Sequence, residues 1–268
     1  MKRIITVVMA AAAVLSLTGC DFLKDLLGGV EVTPETPYTD QWANLVNETS
    51  HEAVVDGNTL TYGSHTYTVN GEIDLESNQS ERPTAQVIFS NIPSGYTEFE
   101  AVYKGLLGKS IIGAAAMVPM AMEIYARNAT TGEKCFNLLC NSSSTATGII
   151  RELKRKIVPS YYSEADDQYI QRYLPAALLK GATQTNAYSP DTPYTVELGI
   201  TSSGINIQDA PLTGGTVYYI CIHSQGWDTY RRGVDIFQPY DSEYYQVFNC
   251  PSCYTQCKNI RGTFGGLK

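Results

Sequence analysis

Six cysteines lie between positions 135 and 257, and three of them, Cys250, Cys253 and Cys257, crowd together near the C-terminus. Residues of this type at this spacing support three chemistries. In an oxidising compartment an even number of cysteines pairs as disulfides. Thiolates of Cys250, Cys253 and Cys257, joined by Cys221 or His223, would supply the tetrahedral donors of a zinc site, although a second Cys-x-x-Cys pair is missing. In a reducing setting the same residues stay free thiols. A redox enzyme built on Cys250-Pro251-Ser252-Cys253 would need a helix to activate its first cysteine, and Tyr254 to Asn259 carries no amphipathic pattern. Cys221 and His223 point the same way if they share a strand. They would then stand ~6.5 Å apart, too far for a nucleophile to hydrogen-bond its base. Cys135 and Cys140 would be separated by a rise of ~7.5 Å on a regular helix, so they bridge only if the helix ends first. Asn141-Ser142-Ser143-Ser144 offers such an ending.

A second group, Trp227, Asp228, Tyr230 and Arg231, follows Gly226 between two strand-like runs. Asp228 and Arg231 form an ion pair fixing the turn, or the four present a recognition edge. Tyrosine is over-used, 19 Tyr against 7 Phe and 2 Trp, and a tyrosine-rich sheet serves as a glycan platform if Tyr218 to Tyr245 are exposed together. His51 and His65 have no metal-ligand spacing, and the chain contains neither a glycine-rich phosphate loop nor a serine nucleophile elbow. No catalytic residue is assigned. These residues favour a binding or scaffolding domain, with a thiol- or zinc-dependent enzyme on the C-terminal cysteines as the rival.

The elements that must position these groups fall into three blocks. Residues 54–92 are β-rich: Thr59 to Tyr62 and His65 to Val69 flank Gly63-Ser64 as a hairpin, and Ala85 to Phe89 adds a strand. Residues 97–181 are helical. Thr97 with Glu100 makes a capping-box pattern, and Ser110 precedes an all-round apolar helix from Ile111 to Tyr125, which Pro119 should bend or whose true start it should mark. Further helices are expected over Lys134 to Cys140, over Thr147 to Val158 with Ile149, Ile150, Leu153 and Ile157 inward, and from Ser163 to Gly181 with a break at Pro175. Residues 193–250 return to strands, at Tyr194 to Ile200, Thr216 to Ile222, Tyr230 to Phe237 and Tyr244 to Phe248, before a Cys-rich tail over 250–268. Helices grouped between β-rich blocks predict an α+β fold: an N-terminal hairpin region, a central helical block and a C-terminal antiparallel sheet packed on the helices, in one domain over 39–268.

The N-terminus resembles a bacterial lipoprotein signal. Lys2 and Arg3 precede the apolar run Ile4 to Leu17, and Leu17-Thr18-Gly19-Cys20 is similar to the lipobox. That resemblance implies removal of residues 1–19 and acylation of Cys20. The apolar run is too short for a retained span, and acyl methylenes worth ~0.8 kcal/mol each would hold the protein on a membrane. Residues 20–38, with Gly28-Gly29 and Thr33-Pro34-Glu35-Thr36-Pro37, read as a tether. Asp21 and Asp25 loosely resemble the export signal of Bacteroides-type surface lipoproteins, which places the protein in the cell envelope at the outer membrane, with an unidentified protein or glycan partner. Without Lys2 and Arg3 the formal charge moves from −8 to −10, which disfavours nucleic acid as a partner.

Beyond the anchor, several segments look like an uncharacterised bacterial domain family associated with Bacteroidetes and Firmicutes. They are Leu106-Leu107, the Gly113 to Met117 run, Ala121-Met122 with Tyr125, Lys180-Gly181-Ala182-Thr183 with Asn186, Tyr188 and Pro190, and Pro193 to Glu197. Ser224-Gln225-Gly226-Trp227-Asp228-Thr229-Tyr230-Arg231 resembles the family's segment between two strands. The likeness spans about residues 97–250 and leaves out the Cys-rich end. It implies one domain and supplies no cofactor and no catalytic residue.

Overall fold

The computed structural model describes residues 46–76, 82–157, 171–201 and 207–258. The leader, Cys20, the tether and residues 259–268 of the tail lie outside them. The fold is mixed α+β, with N-terminal strands, a block of four helices and a C-terminal antiparallel sheet.

The two β-rich blocks join into one sheet. Its strands are β1 (Ala53–Asp56), β2 (Thr59–Tyr62), β3 (His65–Gly71), β4 (Ala85–Phe89), β5 (Tyr194–Ile200), β6 (Ile207–Ala210), β7 (Gly215–His223), β8 (Arg231–Pro239) and β9 (Gln246–Asn249). They follow one another in sequence order, and β5 and β6 share one side of β7. Every pairing is antiparallel, and the seam is β4 with β5, where Val87 faces Val196 and Ala85 faces Leu198. Alternation does the rest: Leu60, Tyr67 and Phe89 stand opposite one another across three strands, all wholly buried. Burial of each such side chain contributes about 1.5–3 kcal/mol. β1 was not separable from the sequence as a strand of its own, because all four of its residues are exposed and no alternation marks it.

Four helices, α1 (Tyr96–Gly105), α2 (Ile111–Arg127), α3 (Ala129–Leu139) and α4 (Ser143–Ile157), are inserted at that seam. Ser110 caps α2 by accepting from the Gly113 amide at 3.0 Å, and Asn128 ends α2 while capping α3 through the Thr131 amide at 3.0 Å. α2 is buried from Gly113 onward and touches β4, β5, β7, β8 and β9. Pro119 lies inside this helix and does not mark its start, which is Ile111. Ala146, Ile149, Leu153 and Ile157 form the inward stripe of α4.

Some expectations are corrected. The Thr97–Glu100 capping box does not form: the N-cap is Gly95, and the carboxylate of Glu48 accepts from the Tyr96 and Thr97 amides at 3.0 and 2.7 Å. Glu100 instead takes Lys104 at 2.7 Å. The third helix begins at Ala129, not Lys134. Of the helix expected from Ser163 to Gly181, residues 163–170 lie outside the described residues, and the remainder is turn and 3-10 helix at Ala176–Leu178.

α1 is fastened to the hairpin by a buried carboxylate. Glu98, 1% exposed, accepts from the Tyr67 hydroxyl, from His65 Nδ1 at 2.7 Å, and from the Ser94 amide and hydroxyl at 2.8 and 2.7 Å. Burial alone would raise its pKa, but hydrogen bonds from Tyr67, Ser94 and His65 hold it below the ordinary value. Asn91 Oδ1 accepts from the Ile92 amide, and its Nδ2 lies 3.1 Å from His65 Nε2.

Candidate functional site

The strands place one polar row across five neighbours. Asn70 faces Gln86, Gln86 faces Glu197, Glu197 faces His223, and His223 faces Arg231. Their sequence neighbours Val87, Val196, Leu198 and Ile222 belong to the core shared with α2. Since successive strand residues alternate faces, the row lies on the side turned away from that helix.

Two basins meet over this row. One, of about 330 Å³, is lined by Leu179, Lys180, Gly181, Asp191, Glu197, His223, Ser224, Gln225 and Tyr230. The other, of about 180 Å³, lies over Asn70, Gly71, Thr84 and Gln86. Pro83 and Glu197 belong to both, so the two basins, together the groove, adjoin at Glu197.

A strap beside β5 supplies the first wall. The Lys180 amide donates to Thr195 O and the Asp191 amide to Lys180 O, each at 2.9 Å. Asn186 ties the intervening loop, donating to Gly181 O and Ser189 O at 2.9 Å and accepting from the Thr183 amide at 2.9 Å. Tyr188 is wholly buried beneath it, stacked on Tyr173 at 5.1 Å, its hydroxyl donating to Lys258 O at 2.6 Å. At Gly181, φ is +80°, and an added Cβ would lie 2.3 Å from the Asp191 carboxyl carbon. Only glycine lets the Asp191 carboxylate close on the strap.

Lys180 Nζ lies 2.7 Å from Glu197 Oε1. The hydrogen bond to Glu197 and the nearby Asp191 charge raise the lysine pKa. His223 lies over Gly199, where a Cβ would meet its Nε2 at 2.8 Å. That Nε2 is buried and has no hydrogen-bond partner. Burial lowers the imidazole pKa; Glu197 opposes the shift and Arg231 adds to it. The ring is therefore neutral at neutral pH.

The opposite wall is the loop from Ser224 to Tyr230. The Ser224 amide donates to Tyr230 O at 2.7 Å, its hydroxyl donates to Ala177 O, and the Gly226 amide donates to Ser224 Oγ at 3.2 Å. Tyr230 is 42% exposed, with its ring 5.5 Å from the His223 ring and 5.4 Å from the Arg231 guanidinium. The four residues expected to act together are thus divided. Tyr230 lines the groove with Arg231 against its ring and outside the lining, whereas Trp227 turns back under the Arg232 guanidinium at 4.7 Å. Asp228 pairs with Lys258 at 2.9 Å, not with Arg231. Tyr218, Tyr244 and Tyr245 are half-buried, Tyr244 stacking on Tyr103 and Tyr218 packing on Tyr245.

All six cysteines are buried free thiols, so the expected disulfides are absent from the structure, although Cys250 and Cys253 are hydrogen-bonded neighbours. Cys221 Sγ donates to Ile200 O at 3.1 Å. Cys250 and Cys253 lie at the start of the 3-10 turn Pro251–Tyr254, joined by a backbone hydrogen bond of 3.0 Å. Cys257 is held elsewhere: its amide donates to Gln171 Oε1 at 2.9 Å, and Gln171 Nε2 returns a bond to Cys257 O at 2.8 Å. Among the described residues no three His, Cys, Asp or Glu side chains gather as a metal-binding group, Cys221, Cys250, Cys253 and Cys257 included. Burial pushes the Cys140, Cys221 and Cys257 thiols up to about 12. Cys250 is raised by its hydrogen bond to Cys253 and by burial. Thiols so protonated are poor nucleophiles.

Sequence reasoning missed Lys180, Asp191, Glu197 and His223 as a group. One signal was present: Glu197 and His223 are the only Asp, Glu, Lys, Arg or His residues in β5 and β7.

Neither the curated proteins nor the solved structures contain a match to the chain. A family model described as "Domain of unknown function (DUF6935)" matches residues 91–261. The match extends through Cys250, Cys253 and Cys257, so the Cys-rich end is part of the family's stretch, contrary to expectation. It begins after β4, and the groove is therefore composite, with Lys180, Glu197, His223 and Tyr230 inside the matched stretch and Asn70 and Gln86 before it. With well over half of its length covered, the chain belongs to the DUF6935 family.

Proposed function

We propose that this is a lipid-anchored protein of the bacterial cell envelope, of Bacteroides type, whose domain captures a ligand in the groove over Glu197 without transforming it. The observation that carries this reading is the convergence of the family-like segments on one place. Lys180-Gly181, Pro193 to Glu197 and Ser224 to Arg231 are distant in sequence and together build both walls. A cleft of a few hundred Å³ with a few converging polar groups is the usual form of a ligand site. A catalytic reading finds less support. His223 hydrogen-bonds to no nucleophile among the described residues, Glu197 is engaged by Lys180, and the thiols are buried and protonated. The lipobox-like Leu17 to Cys20 supports the anchor, and the tether gives the domain reach from the membrane.

The anchor is tested by fractionating cells that express the wild type or Cys20→Ala, with mass spectrometry of the mature N-terminus. The proposal expects an acylated Cys20 and membrane retention that Cys20→Ala abolishes. An unprocessed Met1 start, or unchanged retention of the variant, would refute it. Protease treatment of intact cells then reports which side of the outer membrane the domain faces.

A further inference from the structure

The groove also carries information about its ligand, on the premise that it is a ligand site. Its lysine is already engaged. Among the described residues lining either basin Lys180 is the one cation, and it is held by Glu197 at 2.7 Å, with the Asp191 charge close by. An anionic ligand reaching Lys180 would stand against the Glu197 and Asp191 carboxylates. A cationic one reaching Asp191 would stand against the Lys180 ammonium. Either arrangement sets the ligand's charge beside a like charge.

What the groove leaves available are groups that pair with hydroxyls. Asn70 Oδ1 is taken by Asn58 Nδ2 at 3.2 Å, which leaves the Asn70 amide nitrogen as a donor. Gln86 and Gln225 offer a donor and an acceptor each, and the Asp191 carboxylate accepts without itself donating. At the rim, Tyr230 is 42% exposed, its ring beside that of His223 and with the Arg231 guanidinium on it. Planar amides and carboxylates beside an exposed ring match a molecule whose edges are hydroxyls and whose faces are C–H. The two basins, adjoining at Glu197, suit a chain of linked units. We infer that the groove binds a short neutral oligosaccharide, one unit lying against Tyr230 and the next over Gln86.

Calorimetric titration of the purified acylated protein, in a detergent without a sugar headgroup, tests this. The probes are neutral gluco-, manno-, galacto- and xylo-oligosaccharides of two to four units, with inorganic phosphate, trigalacturonate and trilysine as charged comparators. The expected result is millimolar or tighter binding of a neutral member and none of the comparators. Tyr230→Ala should weaken it roughly tenfold, the scale of a lost aromatic contact. Tyr240→Ala, on an exposed ring outside the groove, should leave it unchanged. If Tyr230→Ala does not fold, Gln86→Ala carries the same test in the other basin. Preference for a charged probe that still depends on Tyr230 would overturn the ligand class and leave the groove a binding site. Binding of none would overturn both, and cleavage of a bound sugar would overturn the non-catalytic reading alone.

Discussion

Glu123 provides the most quantitative test of how this core is built. It lies in α2, fully buried, and neither carboxyl oxygen has a hydrogen-bond partner. Burial raises its pKa from 4.5 to about 7, against the pull of Arg127 one turn away. An acid whose folded pKa exceeds its unfolded value favours the folded state at low pH. That advantage declines as pH rises through 4.5 and is exhausted above about 7. At 1.36 kcal/mol per pH unit, the interval is worth about 3 kcal/mol. Glu123→Gln keeps the volume and removes the titration, so no cavity enters the comparison. Thermal unfolding of both proteins from pH 4.5 to pH 8 should give curves that coincide at the acid end and separate as pH rises. At pH 8 the variant should melt roughly 6–12 °C higher, on the usual scale for a domain of this size. If Glu123→Gln tracks the wild type at every pH, or melts lower at pH 8, the carboxylate is ionised and stabilised by Arg127, and the reasoning fails.

Three further outcomes follow from other sites. Glu98→Ala strips the acceptor from Tyr67, His65 and Ser94 and should destabilise the fold by about 3 kcal/mol in chemical denaturation. Because the folded pKa of Glu98 is depressed, that stabilisation is present above the ordinary glutamate range and is lost as pH falls through the folded value, so the variant and wild type should converge in acid. Gly181→Ala forces a side chain into a positive-φ site against Asp191 and should lower stability by ~1–3 kcal/mol. It should also weaken ligand binding, because the Asp191 wall must move. Finally, iodoacetamide should label Cys221 and Cys250 very slowly in the native protein and rapidly in denaturant, read by peptide mass spectrometry. Fast native labelling would contradict their burial and raised pKa.

Local features of the fold were legible in the sequence where the signal was local. The Gly63-Ser64 hairpin, the Ser110 cap and the inward Ile149, Leu153 and Ile157 all depend on residues within a turn or two of one another. The joining of the two β-rich blocks into one sheet was not legible, because Ala85 pairs with Leu198 across the whole helical insertion and no spacing rule reports such a contact. The α1 start was misread for a related reason: a capping pattern lay at Thr97 and Glu100, while Glu48 reached the same amides from far upstream. The groove was half-legible. Tyr230 and Arg231 were singled out, but their loop companions Trp227 and Asp228 turn elsewhere, and Lys180, Glu197 and His223 meet only through strand register and the Asn186-tied strap. The cysteines drew attention by spacing, and the fold buries all six.

The central claim is that ligand sits over Glu197, between the Lys180 strap and the Tyr230 loop. Amide chemical shifts of the isotope-labelled protein, followed during titration with the tightest-binding oligosaccharide, test it directly. The account predicts perturbations confined to residues 179–181, 195–199 and 223–231, with a weaker set at 84–86 and 70–71. Shifts centred on the exposed β1 edge or the Cys250–Cys253 turn, with the groove silent, would contradict it.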